Sequence, residues 1–126
     1  MKKIWLMLGV LGVVGMMGAP IAAQAGAESR CKSCHSFSDK NGMGPGLKGV
    51  YGSKAGTHPG YKYKFTKYIK GEPWVWDDEH LRAWLDDSKK AVKAFTGNPK
   101  AKTKMAAQHV KGKKADQIIA FLKTLK

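Results

Sequence analysis

Apolar residues in this chain form one long uncharged run, then two helix-spaced stripes set among glycine- and lysine-rich stretches. The run, Ile4 to Ala27, follows a short cationic start, Met1-Lys2-Lys3. Downstream, Leu81, Trp84, Leu85 and Ser88 recur at i, i+3, i+4 and i+7, the spacing of one buried helical face. Trp76-Asp77-Asp78-Glu79 opens that helix, because carboxylates are favourable beside the unpaired N–H groups of a first turn. Gly97-Asn98-Pro99 ends the segment that follows. Ala115, Ile118, Phe121, Leu122 and Leu125 share one face of a last helix running from about Lys113 to Leu125. Cys31 to Phe37 reads as a short helical turn. Asn41–Gly46 and Lys54–Gly60 are loops, the second turning at His58-Pro59-Gly60, and Leu47–Gly52 is irregular. No apolar–polar alternation is long enough for a sheet, and no segment repeats. The pattern predicts an all-α chain with few helices and long loops. Such loops are uncommon unless something else packs them.

The leading run has the plan of an export signal: a cationic start, an apolar centre from Leu6 to Gly18, and the small-residue site Ala23-Gln24-Ala25. Residues 1–25 are therefore expected to be a cleaved signal peptide and residues 26–126 the functional domain. The same run is long enough to span a bilayer, so a retained anchor, with membrane association, is the competing reading. Either one delivers the domain outside the cytoplasm, and the periplasm is the expected location.

Composition sharpens the problem of the core. The 126 residues carry a net charge of +14, and removing Lys2 and Lys3 leaves +12. Beyond residue 25 there are five Leu, three Ile, four Val and four Phe, or 16 of 101 residues. So small an aliphatic share with so much charge is the mark of a disordered chain. Three Trp and four Tyr in the same stretch argue against disorder, because disordered segments are poor in aromatics. A buried apolar prosthetic group completing the core reconciles the two, with its binding free energy becoming folding free energy.

Cys31-Lys32-Ser33-Cys34-His35 supplies the means of attachment. C-x-x-C-H is the spacing at which two thiols add to the two vinyl groups on one porphyrin edge, with the next histidine aimed at the iron. A thioredoxin-like pair would need a strand before Cys31, and none is present. A zinc site would need more clustered ligands, whereas His58, His80 and His109 are scattered singly. For the second axial ligand, beyond residue 25 the chain has two methionines. Met43 sits among Gly42, Gly44, Pro45 and Gly46 and has little freedom to cross a ring edge. Met105, just before the last helix, is better placed, and a thioether opposite histidine raises the reduction potential.

Over most of Arg30 to Lys126 the sequence resembles the class I monohaem cytochromes c, the small mitochondrial and bacterial kind. The matching residues are Cys31, Cys34 and His35, Gly44-Pro45-Gly46-Leu47, Gly49-Val50-Tyr51-Gly52, Tyr61-Lys62-Tyr63, Trp76 and Thr103-Lys104-Met105. The resemblance implies the cytochrome c fold, with loops wrapped around one covalent haem c. It implies His35 and Met105 as iron ligands, and Pro45 as the carbonyl that takes the other imidazole N–H. It implies Tyr63 and Trp76 as donors to a haem propionate. Trp84 stands where the family often has tyrosine beside the methionine sulfur; it fills that space and has only its indole N–H to offer. There are three departures. Cleavage after Ala25 leaves only Gly26 to Arg30 before the motif, so the family's first helix of about three turns is very short here or borrows residues from a retained anchor. Ser53 replaces an arginine, and Lys89–Lys102 is longer than in short members.

With both axial positions filled by protein, the expected function is one-electron transfer, not enzyme catalysis. The alternatives are a haem enzyme or sensor with an open sixth site, where His58, His80 or His109 could act, and a haem subunit of a larger oxidoreductase. Six lysines between Lys100 and Lys114 flank Met105. They point to redox partners with acidic docking surfaces. Charge alone also suits nucleic acid, but no recognition motif is present, so none is expected as a partner.

Overall fold

The computed structural model describes residues 26–126, and the expected signal peptide at residues 1–25 lies outside them. Among the described residues there are three α-helices: α1 (Asp78–Asp86), α2 (Ser88–Thr96) and α3 (Gly112–Thr124). Two short 3₁₀ helices cover Ala27–Ser33 and Thr66–Tyr68. Among the described residues the only β-type pairing is a single bridge between Lys54 and Val75. The all-α expectation therefore holds, and α3 lies within one residue of its predicted bounds.

Two predicted elements are placed differently. The helical turn expected over Cys31–Phe37 begins earlier, at Ala27, and ends at Ser33. Cys34 and His35 both send their N–H groups to the Cys31 carbonyl, at 3.2 and 2.9 Å, so the attachment motif straddles a helix end. This seven-residue helix packs on α3, and its first four residues, with Gly26, are what precedes the motif in the described chain. The stripe Leu81–Ser88 is also not one helix. Asp87 turns the chain out of helical geometry (φ −153°, ψ 94°) and its carboxylate accepts the Lys90 N–H at 3.0 Å. An aspartate that can satisfy a new helix start competes with continuation of the old one. Ser88 remains buried, but as the first residue of α2.

Asp77 caps α1 in the same way, accepting from the His80 N–H at 2.9 Å. Gly97, at φ 67°, ends α2 in the left-handed region. The core joins Leu81, Leu85, Val92, Ile118, Ile119 and Leu122 from the helices to Leu47, Phe65, Trp76 and Val110 from the loops. Backbone bonds fasten those loops: Gly49 N–H to Leu125 O at 2.6 Å, Gly52 N–H to Trp76 O at 2.8 Å, and Val110 N–H to Leu85 O at 2.9 Å.

One charged triad ties three elements. The Tyr51 hydroxyl donates to Asp78 at the start of α1, and Lys123 near the end of α3 lies 3.3 Å from the same carboxylate. The Tyr51 hydrogen bond, helped by Lys123, holds the Asp78 carboxyl below its ordinary value. A carboxyl depressed on folding contributes stability above its unfolded pKa of about 4, and that contribution is lost as pH falls through the folded value. Denaturant midpoints should therefore fall below about pH 4, and less steeply in Asp78→Asn. An identical slope in the variant would contradict this role for the triad.

Candidate haem site

The helices and loops enclose a cavity of about 800 Å³, within the range of cofactor sites. Its wall includes Cys31, Cys34, His35, Pro45, Tyr63, Trp76 and Met105, so every residue expected to hold the haem borders one space. Leu81, Leu85, Val110, Ile118 and Leu122 give that space an apolar lining.

His35 is held rigidly. Its Nδ1 lies 2.7 Å from the Pro45 carbonyl, which can only accept, so Nδ1 carries the proton and Nε2 keeps its lone pair. Gly44 lets the loop come this close: a Cβ there would lie 2.4 Å from His35 Cε1. The Gly44 N–H in turn donates to Cys34 O at 2.8 Å. Asn41 completes the support, a role that sequence reasoning missed. Its Oδ1 accepts the Gly46 N–H and its Nδ2 donates to Pro59 O, each at 3.0 Å. The clue was present in an asparagine beside glycine, a turn-forming pair, but not its reach to residue 59.

Cys31 is partly buried and Cys34 exposed, and no disulfide joins them. Burial pushes the Cys31 thiol above its ordinary range. Burial also raises the Tyr63 phenol, which keeps its proton at neutral pH and remains a donor. Trp76 is buried, with its backbone N–H bonded to Ser53 O at 2.9 Å. The Ser53 hydroxyl is turned to Val50 O at 2.7 Å, so the serine brings no charge to the wall.

Met105 and Met43 differ sharply. Met43 is 70% exposed, and its carbonyl accepts the Tyr61 hydroxyl at 2.6 Å. Met105 packs against the core, and its sulfur accepts the Trp84 indole N–H at 3.1 Å. The indole N–H that the sequence left as Trp84's only donor therefore does bond the sulfur. Trp84 is fixed by Trp76 and Phe65, with ring centroids 5.0 and 5.7 Å away. Of the scattered histidines, only His58 reaches the wall, and its Nε2 donates to Asp39 O at 2.9 Å. His80 lies against Asp77 and Phe95, and His109 holds φ 54° with its N–H on Asp86 O.

No family model matches the chain. Individual relatives do. Cytochrome c2 of Pararhodospirillum photometricum is 38% identical over 104 residues, covering 79% of this chain and 91% of the relative. Cytochrome c of Euglena viridis is 45% identical over 101 residues, covering 79% and 89%. Among solved structures, cytochrome cH from Methylobacterium extorquens superimposes with a TM-score of 0.62 at 42% identity, covering 78% of this chain and 91% of that one. The chain belongs to the class I cytochromes c. As a c-type cytochrome it carries one covalent haem c and relays electrons; it is not an enzyme. The residues present fit that group. Two thiols at the attachment spacing, an imidazole of fixed tautomer and a thioether all border one largely apolar cavity.

Proposed function

We propose that this cytochrome is a periplasmic one-electron carrier whose haem iron is held by His35 and Met105. The observation that carries the reading is the Met105 sulfur on the cavity wall, held by the Trp84 N–H at 3.1 Å. The haem supplies a reversible one-electron couple when bound. The chain's own residues do the rest. Cys31 and Cys34 supply the thioether links, and Pro45 keeps Nδ1 of His35 protonated so that Nε2 faces the metal. The Tyr63 hydroxyl and the Trp76 indole N–H are donors for a propionate. The Trp84 N–H draws electron density from the sulfur, favouring the reduced, less positive iron.

Residues 1–25 act as the export signal in this reading, and residues 26–126 as the haem domain. Among the described residues no helix is long and apolar enough to cross a membrane. The partners are redox proteins with acidic docking faces. Lys64 and Lys104 border the cavity, and Lys100, Lys102 and Lys104 are exposed. The six described ion pairs leave those three lysines out.

Three outcomes are expected. The ferric spectrum carries a weak sulfur-to-iron charge-transfer band; Met105→Ala abolishes it and lowers the potential by on the order of 0.1 V, part of the range that axial ligation spans. A band that survives in Met105→Ala would refute the ligation. Electron-transfer rates with an acidic partner fall about tenfold as the screening length shrinks from about 30 to 8 Å, whereas a flat salt response removes the steering role of the lysines. N-terminal sequencing of the exported protein starts at Gly26; a start at Met1 identifies a retained anchor instead.

A further inference from the structure

Ser88 is the only buried polar residue among those described, at 0% exposure. A hydroxyl in such a place must donate to something, because an unpaired buried polar group is costly. Ser88 opens α2, where a serine commonly serves the helix start. Asp87 already performs that service by accepting the Lys90 N–H. The Ser88 hydroxyl reaches across the fold instead and donates to the Met105 carbonyl at 2.7 Å.

That bond holds a segment with few other anchors. Ala101 and Val110 are buried at its two ends, and residues 102–109 between them are exposed or half-buried. Three hydrogen bonds join residues 102–108 to the rest of the described chain. The Lys104 ammonium reaches Lys62 O at 3.4 Å on the exposed surface. The Trp84 indole holds the Met105 sulfur itself. Over residues 102–108 only Ser88 bonds the backbone from the rest of the described chain; just beyond them the His109 N–H donates to Asp86 O at 2.7 Å. The other bonds of this stretch, Met105 N–H to Thr103 Oγ1 and Gln108 Nε2 to Ala106 O, are internal to it.

We propose that Ser88 is a positioning residue: by pinning the Met105 carbonyl it keeps the thioether on the cavity and sets how easily an outside ligand displaces it. The inference rests on Met105 being the axial ligand. Losing the hydroxyl leaves a carbonyl without its donor in the closed form, while water can satisfy that carbonyl once the segment swings out. Displacement of the sulfur should therefore become easier without any change in the ligand set.

The test is imidazole titration of the ferric holoprotein, followed through loss of the sulfur-to-iron band. Ser88→Ala should bind imidazole about tenfold more tightly than the wild type, a change of 1.4 kcal/mol. Ser88→Thr, which keeps the hydroxyl, should stay within about threefold. Val92→Ala empties a fully buried site in the same helix but removes no bond to Met105, so it should lower the denaturation midpoint and leave imidazole affinity unchanged. If Ser88→Ala binds imidazole like the wild type, or Val92→Ala loosens the sulfur equally, Ser88 has no positioning role. If the wild type lacks the band, Met105 ligation fails first and the role of Ser88 fails with it.

Discussion

Enclosure of the haem is the constraint on which the rest of this structure depends. Leu, Ile, Val and Phe supply only 16 of the 101 residues from Gly26 onward. The side chains that would meet in the centre of a larger core, Leu81, Leu85, Ile118 and Leu122 among them, instead border a cavity of about 800 Å³. Apolar burial is the dominant favourable term in folding. Here much of it must come from contact with a group that is not polypeptide. In the proposed reading Cys31 and Cys34 hold that group covalently, and its binding is then inseparable from folding.

The two sides of the site are built to different standards. The His35 side is over-determined. Pro45 fixes the tautomer, a glycine at 44 lets the loop touch the ring, and Asn41 ties that loop to residue 59. The Met105 side is a segment anchored at Ala101 and Val110 and held in between by few bonds, from Trp84, Ser88, Lys104 and, at His109, to the Asp86 carbonyl. An electron carrier gains from both axial ligands staying in place in both oxidation states, because less rearrangement accompanies each transfer. Trp84 serves two ends here, filling the wall with its ring and polarising the sulfur with its N–H.

Much of this was legible in the chain. The attachment motif is local, so five consecutive residues, Cys31 to His35, announce the cofactor. The last helix is a long periodic segment, and its predicted face matches the buried Ala115, Ile118 and Leu122. What escaped reading depends on contacts distant in sequence or on competition between neighbours. Periodicity carried the stripe from Leu81 through Ser88, but Asp87 ended one helix and began another. Asn41 acts on residue 59, and Ser88 acts on residue 105. Neither reach has a sequence signature. The helical turn at the motif was placed too late because Ala27–Ser33 carries no apolar stripe to mark its start, and none of its residues is buried.

The most direct test of the central claim compares the chain made with and without haem attachment by far-ultraviolet circular dichroism during a thermal melt. The haem-bearing chain should be red, helical and cooperative in its melting, while the chain lacking haem should show little helix and no cooperative transition. A colourless chain that melts cooperatively with the same helix content would contradict it.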